Sequence, residues 1–503
     1  MKNKQESFTN QVVKNYFWNF LMIFLGRVGG VIFIAIVARF LLPEKYGIYS
    51  LTIAISLLFI SLTNRGMNQT LSKYVSEALG KNQKQKASAY YQFIFKIKLF
   101  LTLISAALLF ILAYPLTFFV FRKPDLLIPL MISSGYIILI SFQNFYEYMF
   151  YSIKKVKYLT LKEVILQLSK IALVLLFLYL FPRYKILLAF FALIFSSLIA
   201  ILFLYLTLKK EAGFIFKKSK IKIQKKEIVS FSINMILSGI SSVVFAYTDL
   251  IVIGIFLAAE YSGYYSAAFA LIGGLYGLIS LTGILLPVFT QLKDSQLTNA
   301  FNQVFKYLSM ISLPIIFGTI VLGKFILRVI YGYSYLQAAL SLIILSILIF
   351  EFPITDSLKS LFYAKNMPKK VVKISFISLF MNITLNILFV LILMAVSTPL
   401  SAIAGVAVAS VISRLFIFIT LSREAKKELS IKYNYRLLVK PIISGAIMMF
   451  ILLLINSFIS NMTIWIGLFE IILGAFIYII AMFVIKGITK EDLELFKILK
   501  PKL

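Results

Sequence analysis

The seven residues EKYGIYS (Glu44–Ser50) guide the interpretation of this 503-residue chain, because they return as EYSGYYS (Glu260–Ser266). Both copies read E-x-x-G-x-Y-S, and each stands in a short polar break between two long apolar segments. A seven-residue match is a modest signal alone, but at equivalent breaks it indicates an internal repeat of the kind found in membrane transporters. The glycine and tyrosine themselves have a simpler use, turning the chain and anchoring it at the membrane interface.

Composition places the chain in a membrane. It is 61% hydrophobic with a mean hydropathy of +0.96, whereas about half of a soluble domain is apolar. Apolar runs of about 20 residues, the length of a membrane-spanning helix, recur from end to end. Fourteen helices are predicted, at residues 16–41, 46–64, 88–113, 126–150, 160–181, 186–208, 228–256, 262–286, 304–325, 336–362, 371–394, 401–421, 438–459 and 463–485. The polar first residues do not have the pattern of a cleavable signal peptide.

Charge predicts orientation. The net charge of +32 is carried mainly by alternate connections between the apolar segments, such as the stretch from Lys209 to Lys226, and by the tail after Lys486. Basic loops of membrane proteins lie in the cytoplasm, so both termini are predicted to be cytoplasmic. No nucleic-acid-binding motif accompanies the charge. The absence of cysteine and histidine excludes disulfides, thiolate chemistry and imidazole bases, and no metal site or cofactor is expected.

The repeat predicts the architecture, an all-α integral membrane protein with two parallel six-helix lobes around a central cavity. The first lobe covers residues 1–208, a basic cytoplasmic linker covers 209–227, and the second lobe covers 228–422. Residues 423–503 hold two further helices and a basic tail. An even number of helices per lobe gives both lobes the same orientation, and such lobes can rock between inward and outward openings.

Three stretches carry a resemblance to a known family. RVGGVIFIAIVARFLLPEKYGIYSLTIAI (Arg27–Ile55) resembles the N-terminal signature of the Wzx-type polysaccharide-repeat-unit flippases, a branch of the multidrug/oligosaccharidyl-lipid/polysaccharide exporter superfamily. NQTLSKYVSEALGKNQ (Asn68–Gln83) and DLIVIGIFLAAEYSGYYSAA (Asp249–Ala268) are similar to the same family. The resemblance covers most of the chain. It implies a carrier that moves an isoprenoid-pyrophosphate-linked oligosaccharide across the membrane by alternating access.

A pyrophosphate head group needs positive charge, and arginine offers it paired donors. In the first apolar segment Asn19 shares a face with two glycines, and Arg27 lies at the edge of that face. Arg27 is the first candidate for holding the head group, with Asn19 beside it, and Arg65 is the second candidate. The alternative for Arg27 is an ion pair with an acidic residue on a neighbouring helix.

Two further polar faces are predicted within the membrane. Glu163, Gln167 and Lys170 recur at i, i+4 and i+7, and a second face carries Glu351, Thr355 and Lys359, with Asp356 nearby. Ionised groups at this depth are costly, so we expect ion pairs within each face, or contacts of Lys170 and Lys359 with the sugars in a cavity.

A third set suggests ion coupling. Asp249 stands beside a serine- and threonine-rich stripe, and Asn382 and Asn386 share a face of another helix. Carboxylate and amide oxygens suit Na⁺ or a proton relay, and the resemblance implies that a cation can be held between the corresponding helices. The alternative is that these groups only hydrogen-bond helices together.

The predicted function is therefore translocation of lipid-linked repeat units from the cytoplasmic to the outer leaflet of the cell membrane. The protein is not expected to be an enzyme. Its expected partners are the lipid-linked oligosaccharide, membrane lipid and polysaccharide assembly proteins, with no nucleic acid. A cation-coupled drug antiporter is the first alternative. A membrane-embedded glycosyl polymerase or ligase is the second, although the short outer loops and the absence of a D-x-D motif disfavour it.

Overall fold

A computed structural model describes residues 2–280, 285–459, 462–489 and 492. The described side chains are those of these ranges apart from 2–16, 65, 182, 234, 237–242, 287 and 294–295. Within these ranges the chain forms helices and no strand. The α-helices are α1 Lys2–Gly80, α2 Lys84–Pro115, α3 Leu127–Ser152, α4 Lys157–Leu180, α5 Lys185–Ala212, α6 Lys225–Phe256, α7 Ala259–Ile279, α8 Leu285–Gln291, α9 Asp294–Tyr331, α10 Ala339–Leu345, α11 Leu348–Ala364, α12 Pro368–Val396, α13 Pro399–Glu428, α14 Arg436–Ser457 and α15 Ile464–Val484.

The predicted segments fall mainly on helix in the described ranges, although the segment 262–286 is interrupted at Ser280 and includes residues outside those ranges. The prediction of an all-α membrane protein is confirmed. Ten helices in the described ranges are long and apolar enough to cross a membrane, or eleven when α10 and α11 count as one bent span. The first of these ten, residues 17–80, contains two of the predicted segments.

Two of the differences from the predicted boundaries have a clear local cause. Helix α1 continues to Gly80, well past residue 64, because Leu71, Val75 and Ala78 form a buried face there. The predicted helix 336–362 is bent by 42° between α10 and α11. At the bend the Ser346 hydroxyl donates a hydrogen bond to the carbonyl oxygen of Ile343 (2.6 Å), a side-chain bond of the kind that accompanies bends in helices.

The contacts divide the chain into two compact units. The first unit contains residues 1–270 and 383–403, and the second contains 271–382 and 404–503. This division cuts through helices, whereas the lobes deduced from the repeat are bounded by loops, so the lobe boundaries remain a prediction. The core of the first unit is built mainly from α1, α2, α3 and α5, and the α14–α15 hairpin in the second unit packs around Met448, Leu452 and Tyr478.

Helix α1 consists of two arms that meet at Leu42. The backbone there has φ 62° and ψ 168°, and Pro43 follows. A proline blocks helical conformation in the residue before it and cannot donate the next helical hydrogen bond. We call residues 2–41 the first arm and residues 43–80 the second arm, which therefore starts at the EKYGIYS copy.

The two copies of the repeat pack against each other reciprocally within the first unit. A Cβ atom on Gly47 would lie 1.8 Å from the carbonyl oxygen of Ala259, and one on Gly263 would lie 2.0 Å from that of Pro43. Pro43 and Ala259 precede the glutamates of their own copies. Each glycine thus contacts the start of the other copy, as expected for a local two-fold arrangement.

The same contact fixes how α1 and α6 run. From this junction, Leu51 of the second arm packs beside Gly254 of α6. Further along, the Thr70 and Ser232 hydroxyls are hydrogen-bonded (2.9 Å), and the Tyr74 hydroxyl donates to Glu227 (3.2 Å). The second arm and α6 are therefore antiparallel, with the glycine junction at one end and the start of α6 at the other.

We predict that Gly47→Ala lowers the melting temperature of the purified protein. The neighbour that the new methyl group would meet is a backbone carbonyl, which cannot rotate away, and overpacking of this kind costs about 1–3 kcal/mol. Gly135→Ala is the control, since a Cβ on Gly135 of α3 meets nothing within 4 Å. Equal melting temperatures for Gly47→Ala and Gly135→Ala would show that the reciprocal contact is not tight.

In the second unit, Asp492 ties the chain after α15 to α9. Its carboxylate accepts hydrogen bonds from the Lys306 ammonium (2.6 and 2.7 Å), the Tyr307 hydroxyl (2.8 Å) and the Thr489 backbone N–H (2.8 Å). Burial raises the pKa of the carboxyl, but the hydrogen bonds from Lys306, Thr489 and Tyr307 outweigh burial and lower the pKa to about 2 from 3.8. The ionised carboxylate therefore stabilises the contact of Asp492 with α9.

We predict that Asp492→Asn speeds limited proteolysis of the C-terminal tail at pH 7, because it removes a docking contribution of about 2 kcal/mol. A depressed pKa contributes fully above about pH 4 and is lost between about pH 4 and pH 2, so acid should reduce the difference between the two proteins. Glu428→Gln, which removes a charge from an exposed pair with Lys370, should leave cleavage of the tail unchanged.

Candidate functional site: buried charges and cavities

A buried charge network links α3 and α4 in the first unit. The Lys162 ammonium lies 2.7 Å from a carboxylate oxygen of Glu147 and 2.7 Å from one of Glu163. The Gln143 amide donates to Glu147 (3.1 Å), and the Gln167 amide donates to Glu163 (2.6 Å). Lys162 is 3% exposed in its side chain, so water screens these pairs little.

The first arm of α1 packs on this network through two glycines. A Cβ on Gly26 would lie 2.9 Å from Glu163 Oε1, and one on Gly29 would lie 2.6 Å from Gln167 Cγ. The Gln167 amide also reaches the carbonyl oxygen of Gly26 at 3.4 Å. Glu163 and Gln167 therefore hold the first arm, and the ion partner of Glu163 is Lys162 rather than a residue on its predicted face.

The predicted head-group residues lie apart. Arg27 is exposed and lies on the face of the first arm opposite to the one that packs on α4. Asn19 is half-buried and accepts a hydrogen bond from the Tyr151 hydroxyl (3.0 Å). Arg65 lies within α1, but its side chain is outside the described part of the structure.

Lys170 lies two turns beyond Glu163 on α4. Its side chain is nearly buried, and its ammonium stands 4.8 Å from the centre of the Phe33 ring on the first arm. A cation over an aromatic ring is attracted by the electron-rich ring face, more strongly where water is excluded. This contact stabilises the packing of α4 on α1. Lys170 therefore has a structural role that does not depend on contact with a sugar.

In the second unit, α11 presents its polar face largely as predicted. The Lys359 ammonium lies 3.6 Å from a carboxylate oxygen of Asp356, which also accepts a hydrogen bond from the Tyr276 hydroxyl. The Thr355 hydroxyl donates to Glu351 (2.6 Å). The Arg414 guanidinium of α13 lies 4.5 Å from the centre of the Phe352 ring and places a second basic group beside these two acids.

Asp249, the predicted coupling carboxylate, is 3% exposed. It accepts hydrogen bonds from the Asn386 amide (2.8 Å) and the Tyr265 hydroxyl (2.6 Å). Asn382 lies one turn earlier on α12, and its amide is 3.5 Å from the Ser410 hydroxyl. The structure therefore brings Asp249 and Asn386 together and shows Asn382 bonded elsewhere. Donors face both carboxylate oxygens, so Na⁺ would fit here only if the Asn386 amide turned its oxygen toward the site.

Tyr265 belongs to the second copy of E-x-x-G-x-Y-S, and its counterpart in the first copy is Tyr49. Tyr49 is buried, with its ring 5.1 Å from that of Phe190. Both tyrosines pack on a phenylalanine ring, Tyr265 on Phe269 at 6.2 Å, and Tyr265 in addition donates its hydroxyl to Asp249. The sequence contained the signal for the Tyr265–Asp249 contact, since 16 residues separate the two across the turn between α6 and α7.

A basic cavity of about 430 Å³ opens beside the start of α6. It is lined by Lys225, Lys226, Val229, Ser230 and Ile233. The buried face of the same helix, with Ile228 and Ser232, packs toward α1. Two ammonium groups, a hydroxyl and two apolar side chains thus share one open wall.

Sequence reasoning missed four buried ionisable residues, one of which is Asp492, the residue that contacts α9. Lys162 bridges the network described above. Lys98 is fully buried in α2 and donates to the carbonyl oxygen of Thr63 (3.0 Å) and to the Asn64 side chain (2.6 Å). Glu470 is fully buried in α15 and accepts from the Asn456 amide (3.1 Å). The sequence contained a signal for Lys98 and Glu470, because each is a charged residue inside an apolar segment.

Comparison with protein families assigns the chain. Residues 12–293, more than half of the chain, match the family described as polysaccharide biosynthesis protein. The chain belongs to this family. A search of curated proteins finds no match.

Solved structures with similar folds are membrane transporters. The lipid II flippase MurJ in an inward closed conformation is 16% identical, with a TM-score of 0.73 over 94% of this chain and 98% of that one. An inward-facing multidrug resistance MATE transporter of the MOP superfamily is 15% identical, with a TM-score of 0.56 over 82% and 96%. A MOP superfamily transporter from Pyrococcus furiosus is also 15% identical, with a TM-score of 0.52 over 83% and 96%. At these identities the likeness shows the fold alone.

We predict that Lys162→Met lowers the melting temperature strongly. Removing one partner of a buried ion pair costs about 3–5 kcal/mol, and here it leaves two buried carboxylates facing each other. Lys81→Met is the matched control, because Lys81 forms an equally short pair with Glu77 (2.7 Å) that is exposed to solvent on both sides. Similar losses in the two variants would contradict the importance of burial.

Proposed function

We propose that this protein translocates isoprenoid-pyrophosphate-linked polysaccharide repeat units from the cytoplasmic to the outer leaflet of the cell membrane by alternating access. The observation that carries the proposal is the basic cavity at the start of α6, in a chain of the polysaccharide biosynthesis family. The cavity adjoins the basic connection from Lys209 to Lys226, which the positive-inside rule assigns to the cytoplasm, together with both termini.

The chemistry of the cavity fits the head group. Lys225 and Lys226 can neutralise phosphate oxygens, and the Ser230 hydroxyl can donate to them. Val229 and Ile233 continue the wall in the direction of the membrane with apolar side chains, suited to the first isoprene units. Arg27 would then meet the head group as a second, exposed cation on the first arm of α1.

The glycine junction supports alternating access. It lies at the end of α6 opposite to the cavity, where backbone meets backbone through Gly47 and Gly263. A contact of this kind closes the protein tightly without salt bridges and opens without exposing charge. In the proposed cycle it is closed while the head group binds on the cytoplasmic side and opens for release.

The buried network argues against drug–cation antiport in the first unit. An antiporter of cationic drugs needs carboxylates that are free to pair with the drug. Here Glu147 and Glu163 are both paired with Lys162 and are therefore not free to bind a drug. A chain that presents lysines in its cavity and pairs its buried acids is suited to an anionic cargo.

Coupling is assigned to Asp249 together with Asn386 and Tyr265. A ligand drives a conformational equilibrium only by binding the two states differently, and a carboxylate held by neutral donors can exchange them for H⁺ or Na⁺ when the helices move. Accessory proteins of polysaccharide assembly, acting on the released units, would add to the net direction.

The proposed function is tested with a fluorescent isoprenoid-pyrophosphate oligosaccharide in proteoliposomes. Wild type should expose the sugar at the far side. The double variant Lys225→Gln/Lys226→Gln should transport at least about tenfold more slowly, because it loses charge-assisted hydrogen bonds worth about 1.5 kcal/mol or more each. Arg27→Ala should also slow transport.

Lys220→Gln/Lys222→Gln is the matched control, since it removes the same charge from exposed positions in the same basic connection. Equal slowing in both double variants would show that only the overall charge of the loop matters. Exchange of a lipophilic cation for Na⁺ or H⁺, with no movement of the oligosaccharide by wild type, would replace the proposal with antiport.

A further inference from the structure

A second cavity, of about 240 Å³, lies in the first unit where three chain segments meet. They are the start of the second arm of α1, the turn before α3 with the first residues of that helix, and the turn before α5 with the first residues of α5. Its lining residues are Lys45, Pro124, Asp125, Ile128, Pro129, Arg183, Tyr184, Lys185, Ile186 and Leu187. Lys45 belongs to EKYGIYS, so this cavity is at the end of the second arm that carries the glycine junction.

The charges of this cavity are unusual for its side of the chain. The connections on this side carry only seven basic residues, and three of them, Lys45, Arg183 and Lys185, line this one cavity. Basic residues oppose the proposed orientation when they lie on the outer side. Because they are concentrated around one small cavity, we infer that these basic residues have a function there.

The charged groups of the cavity do not form ion pairs with one another. Among the described side chains, no ion pair within 4.0 Å involves Lys45, Asp125, Arg183 or Lys185. Asp125 and Arg183 are both exposed. A guanidinium with free donors is suited to a carboxylate or a phosphate, which it can bind through two parallel hydrogen bonds.

Two other features of the cavity favour a sugar over an inorganic anion such as phosphate. The Tyr184 side chain is 57% exposed and offers a ring face with a polar tip, which can pack on the apolar C–H face of a pyranose. The Asp125 carboxylate can accept hydrogen bonds from sugar hydroxyls, but it repels a doubly charged phosphate. The volume is below the roughly 300 Å³ at which pockets for drug-sized ligands begin, so it suits one sugar residue.

We propose that this cavity binds an acidic sugar, a hexuronic acid residue of the oligosaccharide, on the outer side of the membrane. Arg183, with Lys45 and Lys185, pairs with the uronate carboxylate, Asp125 accepts from a ring hydroxyl, and Tyr184 packs on the ring. The inference rests on the proposed function for its cargo and its side. It adds a sugar-recognition site at the release end, separate from the pyrophosphate cavity at the start of α6.

The test measures binding by saturation-transfer NMR with the full-length protein in nanodiscs of phosphatidylcholine, a lipid without net charge. Glucuronate should give saturable binding, and glucose, which lacks the carboxylate, should not. Arg183→Gln should weaken glucuronate binding at least about tenfold, the loss expected from one paired-donor contact. Lys324→Gln, an exposed basic residue outside the cavity, should bind glucuronate like wild type.

A second variant separates a sugar site from a phosphate site. Tyr184→Ala should weaken glucuronate binding and leave any binding of inorganic phosphate unchanged. The saccharide assignment is overturned if Tyr184→Ala binds glucuronate like wild type while phosphate displaces glucuronate. It is also overturned if Arg183→Gln binds like wild type, or if nanodiscs with anionic lipid bind no glucuronate because head groups fill the cavity.

Failure of this site and failure of the proposed function give different results. Glucuronate binding does not require transport, so binding without oligosaccharide translocation would retain the site and reject the flippase. Translocation by wild type without glucuronate binding would retain the flippase and reject the site.

Discussion

The close approach of Gly47 to Ala259 and of Gly263 to Pro43 is the contact on which the first unit depends. It answers why the chain carries E-x-x-G-x-Y-S twice, because each copy needs a residue without a side chain where the other copy begins. The contact sets the starting point of both the second arm of α1 and α7. From it, α1 and α6 run antiparallel, so that Lys225 and Lys226 lie at one end and the Lys45 cavity at the other.

The high free energy of ionised groups in a membrane explains how the remaining polar groups are arranged. Lys162 pairs with two carboxylates, Lys359 pairs with Asp356, and Lys170 lies against the Phe33 ring. Buried acids therefore have local partners, whereas the lysines of the α6 cavity remain open. The lysines that remain open are suited to the anionic lipid-linked sugar of the proposed function.

The class and the helices were predictable, because apolar length and the positive-inside pattern are local properties of the sequence. Spacing on a helix also predicted an ion pair on the polar face of α11, where the acidic partner of Lys359 is Asp356, the residue expected beside that face. It failed for the ion partner of Glu163, which is the adjacent Lys162. The third member of that network, Glu147, is brought to Lys162 by the angle at which α3 and α4 cross, and helical periodicity contains no information about that angle. The Arg183–Lys45–Asp125 grouping was invisible for the same reason, since it joins three segments that are far apart in the sequence.

The most direct test of the account is a distance across the glycine junction in a working protein. The chain has no cysteine, so spin labels can be attached at Glu44→Cys and Ala258→Cys, both at exposed positions beside the junction. Pulsed electron resonance in proteoliposomes would report the distance between the labels. The account predicts that an isoprenoid-pyrophosphate oligosaccharide adds a population with a longer distance. One unchanged distance during active transport would contradict it.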